Sequence, residues 1–183
     1  MTKRLESGST VYYTTDKEKA DCLNLYFTSV STVNDSAAVL PPFVEKTDQY
    51  LENIIIVEPE VKDILDILNV NKASGPDMIS NRMLKYTSTS ISKPLSILYN
   101  RSLQEGIFPE PWKHSQVVPI YKKGERTIPA NYRPVSLLSN VGKVFERVLF
   151  KHIYNHLHIN DLLYKYQSGF LPGHSTTLQL INI

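Results

Sequence analysis

Four cations crowd one short stretch of this 183-residue chain: Lys122, Lys123, Arg126 and Arg133, opposed only by Glu125. Arginine forks onto pairs of phosphate oxygens and lysine acts as a point charge, so side chains of this kind aimed at one place can hold a phosphate chain. A solvated loop tip has the same composition, and charge alone leaves both readings open. To converge, the cations need a scaffold. Two apolar, β-branched runs supply one, Val117 to Tyr121 and Tyr132 to Leu138, on either side of a polar connector from Lys122 to Asn131 that holds a Gly, a Pro and an Asn. This pattern predicts a strand, loop, strand hairpin. The pairing must be antiparallel, because a parallel crossover needs a dozen or more residues.

Other reactive residue types lead nowhere as clear. His152 and His156 are four apart, as in a zinc pair, but Ile-Tyr-Asn stands between them with no glutamate base and no third ligand, so they read as helix-surface histidines. His114 and His174 stand alone, and no Ser/His/Asp set or Gly-rich phosphate loop is present. Cys22 is the one cysteine, which excludes an internal disulfide and suggests a buried thiol on an apolar helical face. Among the 11 tyrosines, Tyr121, Tyr132, Tyr164 and Tyr166 are placed to stack bases or, more ordinarily, to pack at the rim of a core.

The elements that would position these residues can be read in order. Length and 42% hydrophobic content suit one domain with a core. Residues 1–14 lack periodicity and read as a loose, disordered end. From Asp16, the spacing of Ala20, Leu23, Phe27 and Val30 predicts a helix, followed by a loop from Ser31 to Asn53. Ile54 to Val57 is β-branched and reads as a strand. Glu58-Pro59-Glu60 opens a helix with Val61, Ile64, Leu65 and Leu68 inward. Ser74-Gly75-Pro76-Asp77 marks a turn, and Ser80 caps a short helix carrying Met83 and Leu84. A helix from Ser90 to Glu105 turns Ile91, Leu95, Leu98 and Tyr99 inward and ends at Gly106. Pro109 and Pro111 then separate it from the hairpin.

Beyond the hairpin, the most regular helix starts near Asn140, with Val141, Val144, Phe145, Val148, Leu149, Ile153 and Leu157 on one side. Lys143, Arg147 and Lys151 lie on the other, either as a solvated face or as a nucleic-acid contact. Ser175 or Thr176 caps a final helix that runs into LQLINI, so exposed apolar surface is expected at Leu178 to Ile183. Helices, then a hairpin, then a helix indicate an α+β body.

Charge is uneven: residues 1–90 hold 9 Lys and Arg against 13 Asp and Glu, whereas residues 91–183 hold 11 against 5. The basic half contains the hairpin, as suits a polyanionic partner. MTKRLESGST has no apolar core of a secretory signal, and no run approaches a membrane span, so the expected setting is intracellular, in cytoplasm or nucleus, with no membrane partner. Asn34 and Asn100 open N-x-S patterns that have no use without export.

The blocks NKASGPDMISNRMLK, GIFPEPWK, VVPIYKKGER, NYRPVSLLSNVGKVFERVL and YQSGFLPGHST resemble, in order and spacing, the front part of a reverse transcriptase from a non-LTR, LINE-like, jockey-type retrotransposon. DKEKADCLNLYFTSVST resembles the segment that precedes the polymerase in such elements. The resemblance implies a helical pre-polymerase segment and loop over 15–57. It implies reverse-transcriptase fingers and a partial palm over 58–183, ending before the catalytic aspartates. The implied fold is the helix-rich fingers subdomain of a right-hand polymerase with a β-hairpin and an incomplete palm.

By that resemblance, Lys122 or Lys123 and Arg133 correspond to the residues that grip the incoming nucleotide triphosphate. Gln167, Gly169, Phe170, Pro172 and Gly173 line the template and nucleotide side of the cleft. The implied partners are an RNA template, a DNA primer and a dNTP, together with the remainder of the polymerase. Leu171 stands where the family has arginine after GF, and Met78 where it has glycine after GPD. The full-length family enzyme uses Mg²⁺, which needs at least two carboxylates close together. Between Arg126 and Ile183 only Glu146 and Asp161 are acidic, so no catalytic or metal residue and no bound Mg²⁺ are expected in this chain. Two further readings follow from the same residues: a non-catalytic module that binds RNA or single-stranded DNA, and an inert transposon relic.

Overall fold

Residues 1–4, 10–39, 42 and 47–181 are described by a computed structural model of the chain. Within the expected loose end lie two short strands, β1 (Thr2–Arg4) and β2 (Thr10–Tyr12), paired antiparallel with Thr2 opposite Tyr12. Three residues are too few to leave a periodic signal. Helix α1 (Asp16–Ser31) starts at a reciprocal cap: the Thr15 hydroxyl accepts from the Glu18 N–H, and the Glu18 carboxylate accepts from the Thr15 N–H at 3.0 Å. Cys22, Leu23 and Phe27 are its buried face, while Ala20 and Val30 lie exposed, so the stripe is rotated and shorter than its spacing predicts.

Helix α2 (Glu58–Asp66) has Pro59 in its first turn and buries Val61 and Leu65, with Leu68 just beyond its end. Ser80 caps α3 (Asn81–Tyr86) by accepting from the Met83 N–H; Leu84 is buried but Met83 is exposed. Helix α4 (Ser88–Glu105) ends on Gly106, whose φ of 64° is open to glycine without strain. Helix α5 (Glu110–Lys113) brings in Trp112. Strands β3 (Ser115–Tyr121) and β4 (Tyr132–Leu138) then form the hairpin. They pair antiparallel from Ser115–Leu138 to Tyr121–Tyr132, as predicted. Helix α6 (Asn140–Ile159) is capped by the Ser139 hydroxyl, and α7 (Thr176–Ile181) follows. The fold is α+β. The side chains of residues 178, 179 and 181–183 lie outside the described set; Leu180 is exposed.

The core gathers where α2 packs against both α4 and α6. Val61, Leu65, Val144 and Val148 have no exposed surface, and each such side chain contributes about 1.5–3 kcal/mol on burial. Tyr99 stacks on Phe145 at 4.8 Å, and its edge-on neighbour Trp112 lies at 5.8 Å. The Tyr99 hydroxyl donates to the Val141 carbonyl at 2.9 Å, and burial pushes the phenol well above its ordinary pKa range.

Two expectations need correcting. Ile54 to Val57 is extended but is not a strand, because no second strand among the described residues lies beside it: the Ile56 N–H donates to Asn100 Oδ1 at 2.8 Å, and Asn100 Nδ2 donates to the Ile56 carbonyl at 2.7 Å. One side-chain amide replaces a neighbouring strand. Leu98, expected inward on α4, is exposed. The buried face of α4 is instead Ser88, Ser92, Ser96, Ser102 and the large Tyr99, and the small serines allow close approach to α2. Ser88 and Ser92 donate to Asp66 and Glu58 of α2, at 2.5 and 3.3 Å.

A candidate nucleic-acid interface

The hairpin tip is held in shape by its own aromatic and amide groups. The Tyr121 hydroxyl donates to the Gly124 carbonyl, and the Tyr132 hydroxyl donates to the Arg126 carbonyl at 2.9 Å. Asn131 Nδ2 donates to the Glu125 carbonyl at 2.8 Å, filling the space beneath Gly124. Pro129, within a 3-10 turn (Pro129–Asn131), is buried, and α1 packs against that turn. The two tyrosines meet edge to face at 5.6 Å, so they are rim-packing residues that fix the connector. Arg126 lies over the Tyr121 ring at 4.7 Å.

Lys122, Lys123 and Arg133 are exposed and have no carboxylate partner among the described residues. The Lys122 N–H donates to the Asn131 carbonyl, one step beyond the Tyr121–Tyr132 pair, and Arg133 sits opposite Ile120. Side chains alternate between the faces of a strand. Register therefore sets Lys122 and Arg133 on one face of the ribbon, with Lys123 beyond the last pair.

The second predicted set, Gln167, Gly169, Phe170, Pro172 and Gly173, follows α6 in an irregular segment. Gln167 Nε2 donates to the Gly169 carbonyl at 3.2 Å, and Gln167 joins Leu157, Asp161 and His174 around a hollow of about 260 Å³. Phe170 is fully exposed at φ 64°. A Cβ on Gly169 or Gly173 would meet nothing within 4 Å, so neither glycine is used here for a close backbone approach.

Sequence reasoning passed over Gly75, one residue of the predicted turn. A Cβ there would lie 2.5–2.6 Å from the backbone of Leu138 and Ser139, where β4 passes into α6. Gly75 thus lets the turn press against the junction of β4 and α6. The only earlier signal was a glycine beside a proline, which announces a turn without saying what approaches it. Met78, three residues on, has φ 59°, a left-handed conformation that favours glycine.

His152 is more than a surface histidine: its Nε2 lies 3.0 Å from Glu60 Oε2, and Lys151 Nζ lies 3.6 Å from Glu60 Oε1. His156 Nδ1 faces Asn160 Nδ2 at 3.3 Å. Among the described residues the donor set does not fit a divalent ion. Glu146 is an exposed residue of α6 and Asp161 follows that helix. No group of three or more His, Cys, Asp or Glu among the described residues could hold a metal.

No protein-family profile matches the chain. Individual proteins do. Over 122 residues, 66% of the chain, it is 33% identical to the RNA-directed DNA polymerase from mobile element jockey of Drosophila melanogaster. It is 34% identical over the same length to the probable RNA-directed DNA polymerase from transposon X-element of that species. Over 119 residues it is 34% identical to the retrovirus-related Pol polyprotein from type-1 retrotransposable element R1 of Bradysia coprophila. The chain is homologous to part of the non-LTR retrotransposon polymerases. The match spans 12–13% of the length of these three relatives. No helix among the described residues is long and apolar enough to cross a membrane.

Proposed function

We propose that this chain is a reverse-transcriptase fragment corresponding to the fingers and the start of the palm. It meets an RNA template, a DNA primer and an incoming dNTP through phosphate contacts from Lys122, Lys123 and Arg133. The homology to retrotransposon polymerases carries this reading, and a rigid tip whose exposed cations are unmatched supports the phosphate contacts. Gln167 to Gly173 extend the template side. In this reading the fragment does not supply the metal-holding carboxylates and binds without catalysing nucleotide addition.

The test is salt-dependent binding of the whole chain to a labelled oligo(dT). Each phosphate neutralised on a single strand adds about 0.7 to the slope of log affinity against log salt. Changing Lys122, Lys123 and Arg133 to alanine is expected to flatten that slope by about 2, while changes at Lys17 and Lys19, already paired with Asp21 and Asp16, leave it unchanged. An unaltered slope in the hairpin variant would reduce the hairpin to scaffold. Magnesium-dependent incorporation on a primed template would overturn the non-catalytic part.

A further inference from the structure

A second group of unmatched cations lies away from the hairpin tip. Lys72, Lys143 and Arg147 border a cleft of about 370 Å³ whose other walls include Val135, Leu137 and Asn81. Among the described residues no carboxylate lines it. The walls are built rather than incidental. Asn81 Nδ2 donates to the Asn69 carbonyl at 2.9 Å, Asn69 Oδ1 accepts from the Asn71 N–H at 2.9 Å, and Asn140 Nδ2 donates to the Ile79 carbonyl at 2.8 Å. These bonds tie the 69–73 loop to the start of α3 and the first turn of α6 to Ile79, just before α3.

Lys143, Arg147 and Lys151 recur at four-residue spacing, yet they differ in partner. Lys151 is matched by Glu60, whereas Lys143 and Arg147 have no acidic partner among the described residues. The cleft also continues the hairpin. Strand alternation puts Arg133 on the same face of β4 as Val135 and Leu137, two of the three β4 residues that line the cleft, the third being Ser136, and two residues of strand advance only about 7 Å. The cations therefore form a track from Lys122 and Arg133 down β4 to Lys143, Arg147 and Lys72.

We infer that this cleft is a second phosphate-binding subsite, which holds the backbone of the same single nucleic-acid strand that the hairpin engages. The inference rests on the reading above for the identity of the strand, but not for the site. A row of cations with an apolar floor and no carboxylate suits a repeating anion; an acidic peptide is the competing occupant. Binding here is through phosphates, so it carries no sequence preference.

The experiment compares the whole chain with three variants: the hairpin change, Lys72→Gln/Lys143→Gln/Arg147→Gln, and both together. Labelled oligo(dT) and oligo(rU) are the probes, and far-ultraviolet circular dichroism checks folding. Glutamine keeps the aliphatic stem of each side chain. The cleft variant is expected to flatten the salt slope by about 2, equally for both probes, and the combined variant to flatten it by about 4. A charge-keeping control, Lys72→Arg/Lys143→Arg, is expected to retain the slope, separating charge from packing. If the hairpin variant alone flattens the slope, the cleft inference fails and the hairpin reading stands. If the cleft variant alone does so, the cleft stands and the hairpin reading fails. No binding by the unaltered chain, or displacement of oligo(dT) by poly(Glu) as readily as by unlabelled oligo(dT), would overturn the inference.

Discussion

Helix α6 faces two regions that treat positive charge in opposite ways. Toward α2, Lys151 and His152 meet Glu60, whose side chain is only 9% exposed. Toward β4, Lys143 and Arg147 border a cleft with no carboxylate. The division extends beyond α6. Lys17, Lys62, Arg101 and Lys113 each pair with an acid three or four residues away, while Lys122, Lys123 and Arg133 have no such partner. A matched pair of this kind steadies its own helix slightly, and its field is cancelled. The unmatched cations add nothing to the fold but keep their field for a ligand. Stability and salt-dependent binding should therefore separate by region.

The strongest challenge to that separation is Gly75→Ala. The added methyl would collide with the backbone between β4 and α6, so this change is expected to cost about 2–3 kcal/mol in urea unfolding. Because the same junction sets the cleft wall, it should also weaken oligo(dT) binding, making it the one substitution that moves both readouts. Tyr99→Phe belongs to the core side alone. Losing the hydroxyl that donates to Val141 is expected to cost about 1 kcal/mol, with the salt slope intact. A changed slope in that variant would show that core and cleft are coupled. Smallest is Met78→Gly. Relief of the left-handed backbone, less the added freedom of the unfolded chain, is expected to yield about 0.5 kcal/mol of stability and no change in binding. A loss of stability would mean that the exposed Met78 side chain packs more usefully than its surroundings suggest.

Much of the scaffold was legible because local chemistry and tertiary need agree. Ser80, Gly106 and Pro59 mark helix ends where they were expected, and the β-branched runs around Lys122 to Asn131 pair as a hairpin. Reading failed where a distant residue decides. Ile54 to Val57 has strand composition, but its hydrogen-bond partner is the side chain of Asn100, and no local pattern announces that. On α4 the apolar period selected Leu98, while close packing on α2 selected serines. For the site, the hairpin cations were visible as a cluster in sequence. The cleft was not, because Lys72 is 71 residues from Lys143 in the chain and tertiary contacts, the close approach of Gly75 to Leu138 and Ser139 among them, bring their elements together.

The polar bonds that tie the core together also impose an order on assembly. Asn81 reaches back 12 residues to Asn69 and Ser88 reaches back 22 to Asp66. Asn100 closes on Ile56 across 44, Asn140 on Ile79 across 61, and His152 on Glu60 across 92. Closing a longer loop costs more chain entropy, and distant pairings slow folding. During synthesis α2 and α3 would thus find partners first, α4 would clamp them, and the apolar face of α2 would stay only partly covered until α6 docks. The element that completes the cleft is the last of the core to arrive, so a nascent chain has no complete cation-lined cleft until its core is closed.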